Sequence, residues 1–186
     1  MNILYATDNF PPPFSGHAIA VINMAVAMKM KGHGTAIIAP SARGFRDYED
    51  SLSSVMGTLK EGSASIKVYY LRSIPFIHGD NVLKSIAIKS AFINRILADF
   101  RPDIIHYNGW GPLCKRVFKS QHNKMNIPCS ATCHGVPMHV TSRILPRNKV
   151  IKWLEKIFWK RMVQFYGKMQ LVISPSKYIH RTLVKR

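Results

Sequence analysis

A chain of 186 residues with ordinary apolar content can bury one full core, so a single domain over residues 1–186 is the expectation. Its 27 Lys plus Arg against 9 Asp plus Glu leave a net charge of +18, which calls for an anionic partner: nucleic acid, phospholipid headgroups or nucleotide phosphates. No apolar run approaches bilayer length, and the N-terminus lacks a basic stretch and carries Asp8 early, so neither a membrane helix nor a signal peptide is expected.

Cysteine usage points the same way. Cys114, Cys129 and Cys133 are an odd count, and in a strand over 128–133 the last two would stand about 13 Å apart. That is beyond disulfide reach, so buried thiols in a reducing, cytosolic setting are expected. Cys133 precedes His134, but no second ligand pair follows at a zinc spacing, so no metal is expected.

In chain order, Asn2-Ile3-Leu4-Tyr5-Ala6 reads as a buried strand, and Pro11, Pro12, Pro13 and Gly16 as the turn after it. Residues 17–31 read as a helix that is apolar almost all round and so buried between layers, with Gly32 placed to stop it. Thr35–Ala39 is a second strand. This β-loop-α-β unit is the building block of an α/β, Rossmann-like, doubly wound parallel sheet flanked by helices. Gly16, just before a helix start, suits a backbone that approaches phosphate, although a plain tight turn reads equally well. GxGxxG and Walker A patterns are both absent, which excludes the usual nicotinamide enzymes and P-loop ATPases.

Residues 41–65 are polar and aperiodic, read as a rim loop or short helix, and Ile66–Leu71 reads as a third strand. Ile86, Ile93, Leu97 and Phe100 keep helical spacing until Pro102, which disfavours helical geometry in the residue before it. Asp103–Tyr107 is the fourth strand, followed by the loop Asn108-Gly109-Trp110-Gly111-Pro112 and a helix to about Lys124. Ile127–Cys133 is the fifth strand and delivers His134-Gly135 to the next loop; Leu171-Val172-Ile173 is the sixth. Loops after parallel strands gather at the carboxyl edge of the sheet, so Gly16, Asn108, Trp110 and His134 are expected to converge there.

The succession MNILYATDNFPPPFSGH, KGHG, RPDIIHYNGWGPL, IPCSATCHG and LVISPSKY resembles the N-terminal domain of GT-B-fold retaining glycosyltransferases. That family includes glycogen and sucrose-phosphate synthases and bacterial lipid and polysaccharide glycosyltransferases. The resemblance implies one half of a GT-B fold that moves a sugar from a nucleotide-sugar donor to a lipid-linked or glycan hydroxyl acceptor, with retained configuration and without a metal or other cofactor. It implies that Ser15, Gly16 and His17 approach the donor diphosphate. His134 then lies beside the transferred sugar as the catalytic-site residue, and Asn108, Gly109, Trp110 and Gly135 shape the acceptor side. Ser15 stands where the family pattern has a first glycine. The resemblance also implies a C-terminal donor-binding domain, which this sequence does not contain and which a longer chain or a partner chain would supply. A non-catalytic half, serving as a membrane anchor or partner-binding module, is the alternative.

Residues 148–168 alternate lysines with large aromatics. At 100° per residue, Val150, Ile151, Leu154, Phe158, Met162 and Phe165 share one arc, expected against the sheet. Lys149, Lys152, Lys156, Lys160 and Lys168 are expected outward with Trp159, Val163 and Tyr166, a combination suited to an anionic membrane surface, with a plain solvated face as the alternative. From Lys115 onwards sixteen basic residues face one acid, Glu155. No nucleic-acid-binding module is recognisable. A cytoplasmic protein, peripheral to the inner face of a membrane, is the expectation.

Overall fold

The computed structural model describes residues 1–10, 16–41, 66–72, 74–75, 84–85, 90–122, 125–135 and 149–184. Of the sequence expectations, the proline turn with Ser15, the polar stretch after Ser41 and Ile86 lie outside these residues.

Six parallel strands form the sheet: β1 (Asn2–Thr7), β2 (Gly34–Ser41), β3 (Lys67–Arg72), β6 (Ile104–Asn108), β7 (Cys129–Thr132) and β8 (Leu171–Ile173). A small antiparallel pair, β4 (Ile74–Pro75) and β5 (Lys84–Ser85), stands apart from it. The order across the sheet is β3-β2-β1-β6-β7-β8, so the winding reverses between β1 and β6. The helices are α1 (Gly16–Met30), α2 (Ser90–Phe100), α3 (Pro112–His122), α4 (Lys149–Tyr166) and α5 (Lys177–Val184). The sequence expectation of a doubly wound parallel sheet is met. No helix of the described residues is long and apolar enough to cross a membrane.

Alternation along β1 explains the layers. Leu4 and Ala6 enter a cluster with Ile93 and Leu97 of α2, Leu113 and Val117 of α3, and Met162 and Phe165 of α4. Ile3 and Tyr5 enter a second cluster with Val21, Ile22 and Ala25 of α1. Successive strand side chains point to opposite faces, so one short run seeds both cores. Helix α1 differs from the expectation of burial between layers: it is covered on one face, while Ile19 and Met30 stay 46% and 76% exposed.

The helix ends are read directly from local chemistry. Gly32 N–H bonds to Lys29 O and His33 N–H to Met28 O, with Gly32 at φ +85, the paired bonding of a left-handed C-terminal cap. Helix α2 ends at Phe100; Arg101 takes φ +48 before Pro102, so the right-handed helical geometry that proline disfavours in the residue before it is avoided. Asn2 closes the same edge: its backbone N–H donates to Asp103 Oδ2 at 2.6 Å and its amide to Phe100 O.

The cap carries a test. A Cβ on Gly32 meets no described atom within 4 Å, so Gly32→Ala reports only the left-handed backbone. The variant should lose about 1–2 kcal/mol in denaturant unfolding. A wild-type midpoint would show that α1 does not depend on this cap.

Candidate active site at the strand ends

The carboxyl ends of β1, β6 and β7 lie side by side at the point where the winding reverses, the place where such sheets bind ligands. Register puts Asn108, the last residue of β6, between Thr7 of β1 and Thr132 of β7. Its side chain ties three segments. Asn108 Nδ2 donates to the backbone carbonyl of His17 at 2.9 Å, and Oδ1 meets His134 Nε2 at 2.5 Å. A carbonyl only accepts, which fixes the amide orientation and leaves Oδ1 for the histidine. His134 therefore donates through Nε2, and in the neutral ring Nδ1 is left as an acceptor. The rings of His17 and His134 pack against each other, centroids 4.5 Å apart and tilted by 35°.

Electrostatics keep this pair neutral. Burial lowers the His17 pKa. Burial, followed by the fields of His17 and His106, lowers His134 to about 4. His106, buried in β6, bonds Ser130 Oγ through Nδ1 and Thr132 Oγ1 through Nε2, each at 2.9 Å, and burial lowers it to about 4. At neutral pH the site presents unprotonated imidazoles, suited to accepting a hydrogen bond from a hydroxyl.

Asp8 builds the adjoining loop. Its Oδ1 accepts the Leu113 N–H at 2.7 Å and so caps α3 across 105 residues. A Cβ on Gly111 would stand 2.5 Å from Asp8 Cγ, so only glycine permits this approach. Gly109 turns the same loop at φ +128. Burial raises the Asp8 pKa, opposed by hydrogen bonds that include the backbone N–H of Leu113.

The sequence expectation of convergence is met for Asn108 and His134, and His17 joins them. Gly16 opens α1, where a Cβ would meet no described atom within 4 Å, so the packing of the described residues does not itself demand glycine there. Gly135 is likewise open and half-buried. Trp110 is held elsewhere: its ring lies edge-on to Phe158 of α4, centroids 6.3 Å apart, and under Lys115 Nζ at 4.3 Å. Asp8 was missed by sequence reasoning. The flanking glycines of Gly109-Trp110-Gly111 are the signal of a close approach, but not of the partner.

Residues 14–186 match Glycosyltransferase Family 4. The chain belongs to this family. A GDP-mannose-dependent alpha-mannosyltransferase of Corynebacterium glutamicum is 24% identical over 106 residues, which cover 57% of this chain and 22% of that protein. Among solved structures, sucrose-phosphate synthase of Thermosynechococcus elongatus aligns with a TM-score of 0.63 at 16% identity, over 99% of this chain and 44% of that one. UDP-GlcNAc 2-epimerase of Methanocaldococcus jannaschii aligns at 0.56 and 13% identity, over 100% and 42%. MurG of Acinetobacter baumannii aligns at 0.50 and 10%, over 93% and 40%. The chain thus spans less than half the length of each of these relatives. At these identities the structures show the fold, and with the family match they identify an N-terminal GT-B glycosyltransferase domain of Rossmann-like form.

Helix α4 corrects the surface expectation for this family member. Tyr166 is buried, 5% exposed, among Met162 and Phe165, and Trp159 is half-buried against the same cluster. The buried arc centres on Met162, about 50° round from the expected centre at 100° per residue, which brings both aromatics inward. Lys152, Lys156 and Lys160 do face solvent, whereas Lys168 lies with Arg161 on the flank towards α3; the exposed apolar side chains near the first three are Trp153, at 60%, and Val163, at 42%.

Two measurements check the site. Asn108→Asp places a carboxylate against His134 Nε2, which favours the imidazolium, so the His134 pKa should rise from about 4 past its ordinary 6.5 in a proton NMR titration. An unchanged titration would mean the ring is not held by residue 108. His106 supplies a stability effect. Its folded pKa is depressed, so its contribution is complete above pH 6.5 and drains away as pH falls towards 4. At roughly 1.4 kcal/mol per pH unit the loss amounts to about 3 kcal/mol, and it should shrink clearly in His106→Gln by urea unfolding across that range. Equal pH slopes in the two proteins would remove His106 from the account.

Proposed function

We propose that this chain is the acceptor-side half of a retaining glycosyltransferase, which moves a sugar from a nucleotide-sugar donor to a hydroxyl of a lipid-linked or glycan acceptor. The observation that carries the reading is the histidine pair bridged by Asn108 at the reversal of the sheet. In this reading His134 accepts a hydrogen bond from a hydroxyl of the transferred sugar through Nδ1, the nitrogen that Asn108 leaves unused. His17 and the N-terminus of α1 at Gly16 lie, in this reading, towards the donor diphosphate, where the positive end of the helix dipole favours negative charge. Gly109 and Gly135 are read as lining the approaches, Ser15 keeps its expected place in the diphosphate loop outside the described residues, and Trp110 supports the acceptor side indirectly, by fixing the loop on α3 and α4.

The donor phosphate, rather than a side chain or a metal, takes the acceptor proton. What supports this over a histidine base is weak basicity, since burial lowers His134 and His106 to about 4 each. The sugar donor's remaining contacts come from a second domain.

A peripheral seat on the cytoplasmic face of an anionic membrane belongs to the same reading. Its support is the outer flank of α4, where Lys152, Lys156 and Lys160 surround exposed Trp153 and Val163. Ammonium groups there meet headgroups while the indole sits at the interface, each cation adding roughly 1 kcal/mol.

His134→Ala in the complete enzyme tests the core of the proposal. Turnover should fall by about 100-fold or more, the scale for losing a hydrogen bond to developing charge, with little change in melting temperature. Full turnover combined with a much lower melting temperature would make the histidine a structural residue.

A further inference from the structure

A second site lies away from the strand ends, between α3 and α4 on the helical face of the sheet. The two helices leave a groove of about 540 Å³. Phe118 and Phe165 form its floor, their rings edge to face with centroids 5.8 Å apart. His122 stacks on Phe118 at 5.2 Å with the planes 16° apart. Lys115 and Lys119 of α3 face Arg161 of α4 and Lys168 just beyond it across the opening. Among the described residues lining the groove there is no carboxylate.

Burial lowers the Lys115 pKa; the attraction of Asp8 opposes that shift, and a smaller repulsion from Arg161 adds to it. Lys168 Nζ lies 5.7 Å from the Phe118 ring centroid, so the aromatic floor holds one ammonium over the opening. At 100° per residue around the buried Met162, Arg161 and Lys168 fall on the flank towards α3, and Lys152, Lys156 and Lys160 on the opposite flank. The cations of α4 and of the residues just after it therefore lie on two separate surfaces.

We propose that this groove binds a phosphate-bearing anion, a diphosphate or a phosphodiester, between Lys119, Arg161 and Lys168. The guanidinium supplies a fork that matches two phosphate oxygens and the ammonium groups supply point charges that follow the rest. The aromatic floor excludes water from one side of the anion and strengthens those contacts. The chemistry is shared by a free diphosphate and by the headgroup of an anionic lipid.

Isothermal titration of the full chain with inorganic pyrophosphate tests it, using two variants of equal charge change. Lys119→Glu/Arg161→Glu/Lys168→Glu reverses the groove; Lys152→Glu/Lys156→Glu/Lys160→Glu reverses the other flank. All six positions are exposed, and circular dichroism checks that both variants fold. The groove variant should lose about tenfold or more in affinity and the control less than about threefold. The milder Lys119→Gln/Arg161→Gln/Lys168→Gln should lie between wild type and the groove reversal. No saturable binding by the wild type overturns the proposal. Equal losses in the two reversals overturn it in favour of a diffuse field, and binding that survives the groove reversal belongs to the strand-end site. Vesicles of phosphatidylglycerol in phosphatidylcholine separate the sources. A headgroup site shows vesicle binding that falls in the groove variant and is displaced by pyrophosphate. A site for free phosphate shows pyrophosphate binding lost in the groove variant while vesicle binding is unchanged.

Discussion

Strand β1 is the constraint on which the rest hangs. It is bonded along both edges, to β2 through Asn2–Ala6 and to β6 through Ile3–Thr7, and covered on both faces. A strand satisfied on four sides has no freedom to shift register, because a slip of one residue would exchange Leu4 and Ala6 with Ile3 and Tyr5 between the two cores. Everything placed at its carboxyl end inherits that rigidity. Asp8 leaves the strand directly into the N-terminus of α3, and Thr7 stands beside Asn108.

The polar network at the strand ends is rigid for a related reason. Asn108 spends both ends of its amide on neighbours, one a backbone carbonyl and one a ring nitrogen, so the amide has a single satisfactory orientation. His106 likewise uses both nitrogens, on Ser130 and Thr132. Buried polar groups with partners fix geometry, and here Asn108 sets which nitrogen of His134 donates while burial keeps the ring neutral. A site preorganised this way needs little rearrangement to receive a hydroxyl.

Charge is distributed unevenly between the two ends of the design. The strand-end site holds neutral imidazoles and the carboxyl of half-buried Asp8, whereas the helical face carries the groove of lysine and arginine between α3 and α4. The +18 of the chain is therefore not a property of the site that the fold positions. Trp110 links the two regions: its backbone belongs to the loop that Asp8 shapes, and its ring lies with Phe158 and Lys115 at the edge of the groove.

Much of this was legible in the sequence. The strand runs, the glycine after α1, the proline after α2 and the order of motifs place His134 and Asn108 on one edge, because period, capping and parallel topology are local or pairwise rules. The small β4–β5 pair was not legible, since two residues carry no period. Nor was Asp8, whose partner lies 105 residues away, or the tautomer of His134, which depends on what else Asn108 bonds. The facing of α4 also escaped: several arcs of that helix are apolar enough to be buried, and a rotation of about 50° separates them. Sequence determined which segments are strands and helices and which residues end them. Only tertiary packing decided which aromatics of α4 went inside, which nitrogen of His134 bonds to Asn108 and which cations face one another, because each of those is set by a neighbour remote in the chain.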